Sequence, residues 1–175
     1  ALDVGLDSVV YDMKFLGDDL YVAGAFSNAG SETEANCVIK WDGTSWQPLK
    51  NGLGSYVCRT LAIHGTDVYV GGNFVDGDGI SAADSIAMWD GTNWSAVGAG
   101  LGSYVYALEF VGDLLYAGGS FTTGAGVSGA DRIAMWDGTS WNAVGGGLSN
   151  HVFALHAVGS DLFAGGTFSD AGGIA

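Results

Sequence analysis

The chain has 175 residues, 31 of them glycine and one proline; 48% are hydrophobic, and this rules out a disordered glycine-rich linker. The length suffices for one domain with a sizeable core, no apolar run approaches the ~20 residues of a bilayer span, and no signal peptide is visible. The formal charge of −14, from 19 acids against five bases, repels nucleic acid and anionic membranes; besides solubility it favours a bound cation or a basic partner.

Good helix formers are scarce outside Ala and Leu, while Val, Tyr, Trp and Phe are common, so every element is expected to be a strand. Residues 1–6, ALDVGL, match the end of a repeat: Leu2 aligns with Leu49, Val97 and Val144, each three residues before a Gly-Leu pair. Next, VVYDMKFLGDDLYVAGAF (9–26) reads as two strands joined by a tight hairpin at Gly17-Asp18-Asp19. Segments 57–74, 105–121 and 152–168 repeat it with Gly65, Gly112 and Gly159 in the turn. One extra residue around Cys58-Arg59-Thr60 predicts a β-bulge in the second copy. Each second strand ends in Ala-Gly or Gly-Gly (Ala23-Gly24, Gly71-Gly72, Gly118-Gly119, Gly165-Gly166), which permits close approach of a neighbouring element.

Variable polar loops follow, SNAGSETEAN, VDGDGISAAD and TTGAGVSGAD, and then third strands ending in Trp41, Trp89 and Trp136. The Asp-Gly after each Trp predicts a two-residue hairpin with both central residues at positive φ. The second tryptophans, Trp46, Trp94 and Trp141, open short fourth strands, and Pro48 suits an outer edge.

Trp-Asp-Gly-Thr thus recurs 48 and 47 residues apart, in repeats of about 5–51, 52–99, 100–146 and an incomplete 147–175, with residues 1–4 the tail of a preceding strand. A single four-stranded sheet cannot bury both its faces, so such sheets must stack. The expected fold is all-β: a β-propeller of four-stranded antiparallel blades, with the six tryptophans filling the seams between blades. Ala175 aligns with Ala134 and Ala1 with Ala143, leaving about eight positions unfilled. A four-bladed ring, an eight-bladed ring of two chains and a window from a longer array all stay open, and the missing strand favours the last.

The pattern W-D-G-x-x-W, G-x-G-L and L-Y-x-G-G-x-F resembles the kelch-like propeller repeats of secreted bacterial proteins and is similar to the repeats of the fungal cortical polarity marker family. The resemblance covers nearly all of the chain and implies a fold rather than a function. No Gly-His precedes Trp-Asp as in WD repeats, and the Tyr/Cys copper constellation of galactose oxidase-type enzymes is not recognisable.

Candidate chemistry is sparse. Asp76, Asp78 and Asp84 in VDGDGISAAD are a calcium candidate without the closing Glu of an EF-hand loop, and the equivalence of Asp84 with Asp131 points to a turn role. No other cofactor is indicated. Asp42, Asp90 and Asp137, which follow the first tryptophans, read as turn formers. Cys37 and Cys58 sit at non-equivalent repeat positions and form either a disulfide or two buried thiols. His64, His151 and His156 share no register, and no nucleophile is placed to suggest a triad. The glycine runs Gly98–Gly102 and Gly145–Gly147 lead into strands, so no helix N-terminus is there to hold a phosphate. The sequon at Asn93 lies in a tight turn. The expectation is a non-enzymatic extracellular or cell-surface module that is structural, adhesive or ligand-binding, with a protein or glycan ligand or self-association. A propeller domain of a larger secreted enzyme and a subunit of a repetitive surface assembly are the alternatives.

Overall fold

The computed structural model describes residues 5–54 and 56–170. These form three four-stranded antiparallel sheets and one two-stranded sheet. The first holds β1 (Val10–Leu16), β2 (Asp19–Gly24), β3 (Val38–Trp41) and β4 (Trp46–Pro48). The second holds β5 (Val57–His64), β6 (Asp67–Asn73), β7 (Ile86–Trp89) and β8 (Trp94–Ala96), and the third β9 (Val105–Val111), β10 (Leu114–Gly119), β11 (Ile133–Trp136) and β12 (Trp141–Ala143). The hairpin β13 (Val152–Val158) and β14 (Asp161–Gly166) forms the fourth. Strand order follows chain order within each sheet, so each repeat is a meander built from its own residues. Apart from two single 3-10 turns at Gly77–Gly79 and Gly124–Gly126, no helix occurs among the described residues, and none long and apolar enough to cross a membrane.

The first hairpin of each repeat has a two-residue loop, and of its residues only the glycine (Gly17, Gly65, Gly112 or Gly159) has positive φ. The Trp-Asp-Gly loops depart from expectation. Trp41 pairs with Trp46 across four residues, Gly43 has φ 93°, and Asp42 stays at negative φ. The cause is the aspartate side chain: Asp42 Oδ1 accepts the N–H of Thr44 and of Ser45, both at 2.8 Å, and so closes the turn that a two-residue hairpin would have closed with backbone strain. Asp90 and Asp137 do the same.

The bulge is likewise not confined to the second copy. Register shifts occur between Val10 and Asp12, Cys58 and Thr60, Val105 and Ala107, and Val152 and Ala154. It is therefore a feature of the repeat rather than compensation for an insertion. At each bulge a Gly (Gly24, Gly72, Gly119, Gly166) lies against the backbone carbonyl opposite, where a Cβ would collide.

Successive sheets stack through seams of apolar side chains. The first seam buries Tyr21, Val38, Leu49 and Leu53 against Leu61, Val68, Val70 and Trp94. The second buries Ile86, Val97 and Leu101 against Leu108, Leu115, Phe121 and Trp141. A smaller seam joins Ile133 and Leu148 to Val152, with Leu155 and Leu162 beside them. Trp46, Trp94 and Trp141 are each 5% exposed. Burying 150–250 Å² of indole contributes about 4–6 kcal/mol gross per ring before ordering entropy is subtracted. The first tryptophan of each pair leans on the second, with ring centroids 5.2–5.5 Å apart.

Close approach across a seam also needs a missing side chain. A Cβ on Gly71 would stand 2.6 Å from Val105 Cγ1, and one on Gly118 2.5 Å from Val152 Cγ1. The Gly-Leu pairs at Gly52, Gly100 and Gly147 then clip each following sheet to the preceding polar loop. Leu101 N–H donates to the Asp84 carbonyl at 3.0 Å, and Leu148 N–H to the Asp131 carbonyl at 2.9 Å. Cys37 and Cys58 form a disulfide, Cα–Cα 5.3 Å, which joins the residue before β3 to β5 in the next sheet.

Candidate binding face

Bulged residues stand outside the ladder, and their side chains are re-aimed. The four here are Tyr11, Arg59, Tyr106 and Phe153, at equivalent points of β1, β5, β9 and β13. Because the first strands of successive sheets lie side by side, these side chains form one row. Arg59 Cζ lies 4.4 Å from the ring centroid of Tyr11 and 5.8 Å from that of Tyr106. Tyr106 lies 5.3 Å from Phe153. Tyr104 and His151 thicken the row, 5.7 and 6.3 Å from Tyr106. Tyr11, Tyr104 and Phe153 are 42%, 37% and 48% exposed. Arg59 Nε is buried with no hydrogen-bond partner among the described residues, so π faces hold the guanidinium where a carboxylate otherwise would.

The row lies at the strand ends from which the variable polar loops leave. There Ser120 N–H donates to the Tyr104 carbonyl at 2.9 Å, and Ser103 Oγ is 3.2 Å from Ser120 Oγ. A shallow groove of about 320 Å³ opens beside it, lined by Gly102, Ser103, Ser120, Thr122 and Thr123. One repeat earlier the equivalent groove, about 460 Å³, is lined by Asn36, Asn51, Asp76 and Asp78 and is therefore acidic. The same scaffold thus presents different polar chemistry from loop to loop, beside one continuous aromatic row.

Of the aspartates proposed from sequence, Asp84 and Asp78 accept hydrogen bonds on their carboxylates. Asp84 Oδ1 accepts Asp76 N–H at 3.0 Å, as Asp131 Oδ1 accepts Thr123 N–H at 2.8 Å. Asp78 Oδ1 accepts Asn51 Nδ2 at 3.1 Å. Among the described residues no group of three or more His, Cys, Asp or Glu side chains forms a metal-sized cluster, so Asp76, Asp78 and Asp84 are not brought together as a calcium site. The carboxyls of Asp42, Asp90 and Asp137 are held below the usual carboxylate range, first by the N–H of Ser45, Asn93 and Ser140 and next by that of Thr44, Thr92 and Thr139. Asn93 of the sequon takes Lys50 Nζ on its side-chain oxygen at 2.8 Å.

His64 stacks on Phe110 at 4.7 Å and bonds Asp113 at 3.0 Å, while His156 lies 3.6 Å from Glu109. Only His151 belongs to the row. Sequence reading passed over this row because its members differ in type. The available signal was their shared place, six residues before each hairpin glycine and always occupied by a large side chain.

No protein-family model and no curated protein matches the chain. Among solved structures it is similar to the computationally designed Ika4 protein, at 15% identity and a TM-score of 0.62, over 95% of this chain and 92% of that one. It is also similar to the computationally designed Ika8 protein, at 17% identity and a TM-score of 0.60, over 93% of this chain but 44% of that one. At these identities the likeness is one of fold alone: an all-β chain of repeated antiparallel sheets.

Proposed function

We propose that the sheets are blades wrapped about an axis, a β-propeller of kelch-like repeats, and that the chain is a non-enzymatic extracellular or cell-surface module that binds a protein ligand through the row Tyr11–Arg59–Tyr106–Phe153. The row itself carries this reading. Tyr, Phe and Arg are the side chains enriched at protein interfaces, because they supply large rigid contact area with a polar or charged handle. Four of them held in line by a repeated bulge are pre-organised, so little ordering entropy is lost on binding. The surrounding charge of −14 favours a basic ligand segment. The Cys37–Cys58 disulfide supports an oxidising compartment.

Panning a random-peptide display library on the immobilised protein tests the reading, with the triple variant Tyr11→Ser, Tyr106→Ser, Phe153→Ser as counter-target. Enriched peptides should be basic and should lose at least about tenfold in affinity on the variant, about 1.4 kcal/mol. Peptides that bind both proteins equally, or a library that yields none, would remove the row as a protein-binding site. A glycan array probed in parallel identifies a carbohydrate ligand instead.

A further inference from the structure

We propose that the open face of the first sheet and the open face of the β13–β14 hairpin are two halves of one more seam, formed between two copies of this chain. The inference goes beyond the ligand reading and uses other residues.

Of the eleven large apolar side chains that stand exposed among the described residues, six outside the row (Val9, Val10, Met13, Phe15, Val158 and Phe163) lie on β1 with its lead-in residue or on β13–β14. The middle of the stack has little such surface, because there each sheet covers the next. Counting from the hairpin glycines gives Met13 and Phe163 buried counterparts, Phe15 a half-buried one and Val158 one that is itself exposed but stacked across a seam. Met13, 56% exposed, holds the place of Leu61 and Leu108, which are 0% and 5% exposed. Phe163, 58% exposed, holds the place of Tyr21, at 4%. Phe15, 69% exposed, holds the place of Phe110, and Val158, 58% exposed, the place of His64.

The contacts of those counterparts show what the open residues would meet. Phe110 packs 5.3 Å from Tyr69 and 4.7 Å from His64 across the second seam. The same seam built from the free ends sets Phe15 of one copy against Phe163 and Val158 of the other. The two faces are thus already shaped for one another by the repeat, and a second copy is the partner that carries both.

Trp46 adds an independent sign. Trp94 and Trp141 each donate Nε1–H to a carbonyl of the preceding sheet, at 2.9 and 3.0 Å. Trp46 holds the equivalent place, is equally buried, and its Nε1 has no partner among the described residues. The first sheet is therefore built as the second half of a seam: its outer side, Val22, Ile39 and Trp46, is already covered by this chain, while the β1 side stays open. In Ika8 the matched region is 44% of the chain, which leaves room beside it for a second arc of the same length. Head-to-tail contacts close when the rotation permits, and two arcs of this size closing on each other make two identical seams.

Sedimentation equilibrium of the chain at about 5–50 μM, which populates any dimer of micromolar or tighter affinity, reads the outcome. A species of twice the 17.8 kDa chain mass is expected. Phe15→Glu and Phe163→Glu should each give monomers, and mixing them should restore a dimer. The intact hairpin face of the first variant meets the intact first sheet of the second, whereas unfolded variants would not complement. Should either variant lose its near-UV circular dichroism, Phe15→Ser and Phe163→Ser replace the pair. A monomeric wild type, an open polymer, or variants that stay dimeric alone would overturn the proposal.

Discussion

Trp94 reaches across the first seam and donates its indole N–H to the Leu49 carbonyl at 2.9 Å. Trp141 makes the same bond to Val97 at 3.0 Å, and Trp46 makes none. Three tryptophans of equal burial therefore differ in one hydrogen bond. Replacing each by Phe removes similar apolar area, so the difference between variants isolates that bond. Trp94→Phe should cost about 1 kcal/mol more than Trp46→Phe in urea unfolding, because it alone breaks a hydrogen bond between sheets, although the Leu49 carbonyl keeps the Gly52 N–H at 3.0 Å. Equal costs would mean that the indole N–H contributes nothing to adhesion between sheets.

The Cys37–Cys58 disulfide closes a loop of 21 residues and ties two sheets together. Chain-entropy reasoning assigns such a crosslink about 3 kcal/mol. Urea midpoints with and without a phosphine reductant should differ accordingly. A reduced protein of unchanged stability would show that the seam holds its geometry unaided.

Acid should weaken the fold through Asp42, Asp90 and Asp137, whose carboxyls are held low by turn N–H groups. A carboxyl depressed in the folded state stabilises above its unfolded value of about 3.9, and that stability is lost as pH falls through the folded value. The melting temperature should stay level from neutrality to about pH 5 and decline below about pH 4. Asn at all three positions keeps the turn acceptor but removes the titration, so the decline should become shallower. An unaltered pH profile in that variant would assign the acid limb to other groups.

Two glycines at equivalent points should respond differently to alanine. A Cβ on Gly118 meets Val152 Cγ1 at 2.5 Å, whereas one on Gly165 has its nearest neighbour, Ala154 Cβ, at 3.9 Å. Overpacking costs about 1–3 kcal/mol, so Gly118→Ala should destabilise by that amount and Gly165→Ala should change little in the monomer. Thermal melts of the two variants on the monomeric Phe15→Glu background make the comparison.

Strand positions were legible in the sequence because hairpin glycines and Trp-Asp-Gly loops punctuate each copy. Antiparallel pairing followed, since connections of two to four residues allow no other. The Asp-Gly turns were placed correctly but given the wrong backbone. Dipeptide preference says where a turn falls, and the Asp42 carboxylate, by bonding Thr44 and Ser45, decided its form. The bulge was seen only where an alignment gap exposed it, although all four copies have it.

By itself, then, the sequence determined the period, the four-strand unit and the tryptophans that cement one sheet to the next, because these depend on local turn chemistry and on apolar side chains that recur in register. Only the tertiary structure decided that Tyr11, Arg59, Tyr106 and Phe153 stand in one row, that the Asp84 and Asp78 carboxylates take different donors, Asp76 N–H and Asn51, and that Phe15 and Phe163 lie uncovered at opposite ends. Residues 47 or 48 positions apart, as in the row, become neighbours only once sheets stack, and stacking is set by how whole faces fit.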